Sequence, residues 1–222
     1  MRWPFTTFAT GTLLLFSLPL AALAVVLWRT PPGAWWVAPL PLLAFILAFF
    51  RDPERHAPGG EDELVSPADG LLSDIVTLDD PALGEQCLRV GIFLSVFDVH
   101  VNRSPCAGEV TDVQQRPGGF YDARDSRAID ENRAATIVLR RPDGRRVGVR
   151  QITGLIARRI ICPAKPGQRL ARGERYGMIR FGSRTELIVP AAEVAELRAK
   201  VGDKVRGGAT LLLTLRHRPG NG

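Results

Sequence analysis

The distribution of apolar residues changes abruptly at Arg51. Before it stand two long apolar runs, "GTLLLFSLPLAALAVVLW" from Gly11 to Trp28 and "AWWVAPLPLLAFILAFF" from Ala34 to Phe50. At about 1.5 Å per helical residue each run reaches just under the ~30 Å hydrocarbon core of a bilayer, so each predicts a short span. The connector "RTPPG", Arg29 to Gly33, predicts a turn, which makes residues 1–51 a membrane helical hairpin with Trp28, Trp35 and Trp36 at the interface. Two other readings stay open. Arg2 ahead of the first run and Ala22-Leu23-Ala24 within it fit a cleaved signal peptide, and Pro19, Pro39 and Pro41 fit a hairpin that inserts without crossing.

Beyond a polar linker, "RDPERHAPGGEDE" from Arg51 to Glu63, the pattern is that of strands. "LRVGIFLSVF", Leu88 to Phe97, is a continuous apolar run and predicts a buried strand. "ATIVLRRPDGRRVGVRQI" alternates on both sides of Pro142-Asp143-Gly144 and predicts a hairpin. "MIRFGSRTELIVP", Met178 to Pro190, predicts two strands with a kink at Gly182-Ser183, where a glycine permits unusual backbone and close approach. One helix is predicted in this part, over "AAEVAELRAK" from Ala191 to Lys200.

Two internal echoes organise these strands. "SPADGLLSDI" from Ser66 matches "SPCAGEVTDV" from Ser104, and "AKPGQRLARG" from Ala164 matches "AKVGDKVRGG" from Ala199. The expected fold is therefore mainly β: residues 52–222 form a duplicated antiparallel β domain with turns like those of biotinyl/lipoyl domains. That likeness also raises a carrier role for Lys165 or Lys204, although the methionine usual beside a modified lysine is missing.

Charge adds a direction. Residues 1–51 hold three arginines and no acid, lysine or histidine, and Arg2, Arg51 and Arg55 against Arg29 place both ends of the hairpin, and the β domain, on the cytoplasmic face of the cell membrane. The net charge of +6 calls for an anionic partner. In a membrane-anchored chain acidic lipid headgroups are the economical choice, at about 1 kcal/mol per basic group near the surface. No nucleic-acid motif is present. Cys87, Cys106 and Cys162 are odd in number and widely spaced, which fits reduced core thiols better than disulfides or zinc, and no metal site is expected.

Of three histidines, His56 lies in the linker and His217 in a basic tail, whereas His100 follows the predicted buried strand in "FLSVFDVHVNRSP". Ser183, His100 and Asp69 of "SPADG" would together supply a nucleophile, a base and an orienting carboxylate. Each also has an ordinary structural reading: a solvated serine in a bulge, a hydrogen-bonded histidine, and an aspartate in an Asp-Gly turn.

"VSPADG", "FLSVFDVHVNRSP", "GLIARRIIC" and "RFGSRTELIVP", in this order behind a hydrophobic N-terminal region, resemble the short form of the phosphatidylserine decarboxylase proenzyme, over about Arg51 to Leu215. The resemblance implies self-cleavage between Gly182 and Ser183 into a β chain, residues 1–182, and an α chain, residues 183–222, that stay associated. It implies a pyruvoyl group made from Ser183, which forms a Schiff base with phosphatidylserine of the membrane and yields phosphatidylethanolamine and CO2. By motif, His100 and Asp69 would assist cleavage or move the substrate proton. The longer family members carry a second histidine where this chain has Arg103, so His100 takes both tasks or another group is the base; Arg103 and Asn102 become candidates for binding substrate charge. Arg184 follows the serine where the long form has threonine. A pyruvoyl decarboxylase of another amino acid, a membrane-anchored serine hydrolase and a non-enzymatic membrane-tethered β module are the alternatives; a homo-oligomer stays open.

Overall fold

In the computed structural model, which describes residues 4–29, 33–155, 159–180 and 182–217, the first apolar run forms helix α1 (Thr10–Arg29). The second is shorter than its apolar length predicts. Residues 35–37 make a single 3₁₀ turn, Pro39 caps, and only Leu40–Phe49 is α-helical (α2). A proline lacks the amide proton that a helix interior needs, so the two prolines are tolerated only at the start of α2. At about 15 Å, α2 covers half of a hydrocarbon core. One helix is long and apolar enough to cross a membrane, Thr7–Arg29 including its leading turn, and the second apolar helix, Trp35–Phe49 counted the same way, is shorter. The two helices pack as a hairpin whose ends meet: Thr6 N–H donates to Phe50 O (2.9 Å) and Asp52 N–H to Pro4 O (2.8 Å). The connecting residues 30–32 lie outside the described residues.

These segments belong to one compact unit, Met1–Glu54; a second, Arg55–Gly222, holds the strands. In chain order they are β1 (Glu63–Val65), β2 (Gly70–Asp80), β3 (Gly84–Leu94), β4 (Val101–Arg103), β5 (Gly108–Arg116), β6 (Ala134–Arg140), β7 (Arg146–Ile152), β8 (Ile160–Ile161), β9 (Arg169–Leu170), β10 (Arg175–Ile179), β11 (Ser183–Pro190), β12 (Val194–Leu197), β13 (Lys204–Val205) and β14 (Leu211–Leu215), with a short helix α3 (Arg127–Glu131) before β6. Eight of them form one antiparallel sheet in the order β13-β2-β3-β11-β7-β6-β5-β9, accompanied by the three-stranded sheets β1-β14-β12 and β4-β10-β8. The sheet curls around a core that includes Leu72, Ile92, Ile137, Val149, Leu187 and Leu213. Strand β11 lies between β3 and β7, pairing with β3 over its whole length and with β7 through Ile188.

The duplication is structural as well as sequential. Ser66 Oγ donates to Ala68 O at 2.6 Å and Ser104 Oγ to Cys106 O at 2.7 Å. Gly208 N–H reaches Ser66 O, and Gly173 N–H reaches Ser104 O. β13 pairs with the start of β2 just as β9 pairs with the start of β5. Each serine-proline corner is thus closed by one of the basic glycine turns.

Two boundaries differ from the pattern. The predicted helix 191–200 is instead one 3₁₀ turn, Ala191–Glu193, followed by β12, because the exposed edge of β14 offers Val194–Leu197 ladder partners that outweigh a weak helix propensity. The predicted strand 88–97 stops at Leu94. There the Asp98 carboxylate accepts from Ser95 N–H (2.8 Å) and Ser95 Oγ (2.7 Å) and turns the chain, leaving Phe97 exposed.

Candidate active site

The predicted kink falls where β10 ends and β11 begins. Gly182 has φ +62°, left-handed backbone that a residue with a Cβ adopts at a cost, and Ser183 then pairs with Leu94. The Ser183 side chain is fully buried, and its Oγ has no hydrogen-bond partner among the described residues. A buried hydroxyl without a partner costs about 1–3 kcal/mol, which marks the position as one where folding stability yields to another requirement. The Gly182 carbonyl lies against Gly154: a Cβ added at Gly154 would sit 2.2 Å from Gly182 O. Only glycine permits that approach, so the peptide between residues 182 and 183 is clamped from the β7 side.

His100 meets Gly182 at its amide, the other end of the residue from that carbonyl. It is fully buried, its Nδ1 lies 2.9 Å from Asp98 O, and its Nε2 accepts from Gly182 N–H at 3.3 Å. Since Asp98 O only accepts, Nδ1 carries the proton and Nε2 is the basic nitrogen, turned toward the Gly182 backbone. The same Asp98 that stops β3 early therefore sets the tautomer of His100 with its carbonyl.

On the Ser183 side of β11, Asn102 Nδ2 donates to Thr185 Oγ1 (2.9 Å) and Asn102 Oδ1 accepts from Gln151 Nε2 (2.8 Å), all three residues being fully buried. Asn102 is thus engaged in fixing β11 one turn of the pleat beyond Ser183. Asp69 stands elsewhere: its carboxylate takes a two-pronged ion pair from Arg55, with Nη2 to Oδ2 at 2.7 Å, and the Gly207 N–H at 2.8 Å. It precedes β2, two strands from β11 in the sheet, or about 10 Å at ordinary strand spacing. Arg103, also buried, packs its Cδ against Gly208 and donates from Nη1 to Gly173 O at 3.2 Å. The structure therefore brings His100 to the amide and Gly154 to the carbonyl of Gly182, directly ahead of Ser183, and gathers Asp69 and Arg103 around Gly207–Gly208.

The opposite face of β11 carries a charge network. Arg184 donates to Asp74 Oδ1 (2.8 Å), Ser73 Oγ (2.9 Å) and Glu186 Oε1 (2.9 Å); Glu186 also receives Arg150 (3.2 Å), which in turn pairs with Asp80. Glu186 is fully buried and Arg184 nearly so. Burial alone would raise the Asp74 carboxyl, but the hydrogen bond and charge of Arg184 outweigh it and hold Asp74 below the ordinary carboxylate range. Gly91 makes room for the guanidinium, since a Cβ there would lie 2.0 Å from Arg184 Nη2. Sequence reading passed over Gly154, Gln151, Thr185 and this network. The available signals were a glycine two residues after the alternating β7 segment and the Arg-x-Glu spacing within "SRTEL".

Fold and geometry together define a mainly β protein in which His100 and Gly154 bracket the Gly182 backbone directly ahead of a buried serine, Ser183. The chain belongs to the phosphatidylserine decarboxylase family, whose model matches residues 42–213. It is 45% identical over 213 residues to the phosphatidylserine decarboxylase proenzyme of Rhodopirellula baltica, covering 94% of this chain and 87% of that one. Its identity to the proenzyme of Pelobacter propionicus is 47% over 171 residues (77% of each chain), and to that of Geobacter sulfurreducens 42% over 193 residues (86% and 87%).

Proposed function

We propose that this chain is a proenzyme that cuts itself between Gly182 and Ser183, converts Ser183 to a pyruvoyl group, and decarboxylates phosphatidylserine to phosphatidylethanolamine in phospholipid biosynthesis. The observation that carries the reading is the buried, unpartnered Ser183 Oγ directly after a glycine in left-handed backbone. A hydroxyl held without a hydrogen bond beside its own peptide is suited to attack it. Oγ bonds to the Gly182 carbonyl carbon as the C–N bond breaks, giving an ester; β-elimination releases the Gly182 carboxylate and leaves dehydroalanine, and addition of water with loss of ammonia leaves the pyruvoyl group. His100 Nε2 orients Gly182 through its N–H and is the basic nitrogen at hand to take the hydroxyl proton. Gly154 fixes the carbonyl under attack.

The residues present fit the group: position 183 is closed off from water and borders Gly154 rather than a side chain through its preceding carbonyl. The pyruvoyl carbonyl supplies an electron sink for the pair released when CO2 leaves a serine headgroup. The chain's own contribution is to hold position 183 still. After cleavage β11 remains bonded to β3 and β7, and Arg184 and Thr185 anchor its two faces, so the new N-terminus has nowhere to move. His100, buried beside it, is the group that returns a proton to the substrate α-carbon. Residues 183–222 also supply β12, β13 and β14, paired with each other, with β2 and with β1, which keeps the two chains together. Helix α1, apolar and exposed along its length, attaches the protein to the cell membrane, with the β unit on the cytoplasmic face.

The test is product analysis. Purified protein incubated with phosphatidylserine vesicles should release CO2 and form phosphatidylethanolamine, be inhibited by hydroxylamine, and leave free serine untouched. Ser183→Ala should remain one chain and make no product; a Ser183→Ala chain that decarboxylates would overturn the reading, and turnover of a soluble amino acid instead would change the substrate.

A further inference from the structure

Among the described residues, two arginines beside the cleavage site have no counterion. β8 and β10 pair antiparallel with Ile160 opposite Ile179, so Arg159 and Arg180 come next on the same ladder, and Arg180 N–H donates to Arg159 O at 3.3 Å. Directly opposed residues project to the same face of an antiparallel pair. Neither guanidinium makes an ion pair among the described residues, and the Nε of Arg180 is buried with no acceptor. Burial, and after it the charge of Arg159, pull the Arg180 guanidinium below its ordinary value. Arg145 and Arg184, more deeply buried than the half-buried Arg180 or the exposed Arg159, and Arg150, itself half-buried, each sit against a carboxylate. Opposed like charges with an unfilled donor form a site for an anion brought from outside.

Position and surroundings say which anion. Arg180 is two residues before Gly182, and Leu155, exposed, follows the Gly154 that touches the Gly182 carbonyl. Phe97, the most exposed large apolar side chain of the β unit, lies three residues before His100. Cationic and apolar groups thus flank one buried centre, as an amphiphile with an anionic headgroup requires. In phosphatidylserine the amine that must reach position 183 is separated from the phosphodiester only by the serine side chain. The substrate carboxylate is the poorer match, because a cation pair that stabilises it opposes its departure, whereas the phosphodiester keeps its charge throughout the reaction.

We propose that Arg159 and Arg180 bind the phosphodiester of the lipid substrate at the mouth of the Gly182–Ser183 centre, an assignment that rests on the phosphatidylserine reading above. The experiment compares full-length wild type with Arg159→Gln, Arg180→Gln and Arg180→Lys. Intact mass first checks that each has self-cleaved, and kinetics on dioctanoyl phosphatidylserine then separate KM from kcat. The expected result is normal cleavage, KM raised roughly tenfold or more by each Gln variant with kcat within a few-fold, and partial recovery in Arg180→Lys, in keeping with the worth of a charge-assisted hydrogen bond. Competitive inhibition by dioctanoyl phosphatidylethanolamine, which has the phosphodiester but no carboxylate, should weaken by the same factor. Inhibition by inorganic phosphate should weaken with it.

An unchanged KM would overturn the proposal. So would a raised KM with unchanged phosphatidylethanolamine inhibition, which would assign the pair to the carboxylate. Loss of inorganic-phosphate inhibition alone would make it a site for free phosphate. Failure of the exposed Arg159→Gln variant to cleave, or release of the two chains from each other, would place the pair in processing or on the new Gly182 carboxylate. Wild type without activity on phosphatidylserine would instead defeat the function on which the proposal rests.

Discussion

Gly154 and Gly182 do opposite things for one peptide bond. Gly182 supplies a backbone conformation, at φ +62°, and Gly154 supplies an absence, the missing Cβ that lets the Gly182 carbonyl approach. Gly154→Ala would place a methyl group 2.2 Å from that oxygen, so the carbonyl must move. We expect at least tenfold slower self-cleavage with the uncleaved chain accumulating on a denaturing gel; cleavage at the normal rate would show that the clamp is dispensable. His100→Gln keeps a donor and acceptor in the same space but loses the basic nitrogen. It should slow cleavage by about a hundredfold or more, the usual worth of a positioned acid/base group. A time course of intact mass reads this directly, and a normal rate would remove His100 from processing.

Among the strands, β11 has its two faces held by different chemistry, Thr185 bonded to Asn102 on one and Arg184 and Glu186 in the charge network on the other. Glu186→Gln would leave the guanidinium groups of Arg184 and Arg150 short of a buried counter-charge and cost about 3 kcal/mol, read as a lowered urea midpoint; an unchanged midpoint would show the network to be idle. The network also sets an acid limit. Asp74 is held below its ordinary value in the folded state by Arg184, against burial, and Asp143 in the β6–β7 turn is likewise lowered, by Arg145 and Arg141 against burial. A carboxyl depressed on folding contributes stability that is complete above its unfolded pKa of about 3.9 and is lost as pH falls below it. Stability contributed by these groups should therefore be flat from pH 7 to 5 and decline below about pH 4; a urea midpoint that rises on acidification would contradict this. Much of the β unit was legible because alternation and duplication are periodic signals: the 134–152 hairpin, the Gly182 kink and the paired serine-proline corners all follow from them. The helix at 191–200 failed because a local propensity competed with an open strand edge that sequence does not display. The second apolar run is shorter as a helix than its composition suggests, because Pro39 and Pro41 set where α2 starts. Ser183 and His100 were visible as motif residues. That Asn102 faces Thr185 and Gln151, and that Arg55 holds Asp69, depends on strand order, which a single sequence leaves unspecified.

For the whole molecule, a lipid substrate that stays in the bilayer accounts for an apolar exposed helix and a basic β unit in one chain. Residues 1–54 form a unit of their own, so deletion of residues 1–51 should leave self-cleavage intact while removing most of the protein from sedimented anionic vesicles. Equal sedimentation of both forms would assign membrane attachment to the β unit alone. The claim on which the rest depends is that Ser183 is consumed in making the cofactor, and the intact mass of the purified protein tests it most directly. The account predicts two chains that copurify, residues 1–182 and 183–222, the smaller beginning with the mass of a pyruvoyl group in place of serine. A single 24.3 kDa chain with an unaltered Ser183 that nonetheless decarboxylates phosphatidylserine would contradict it.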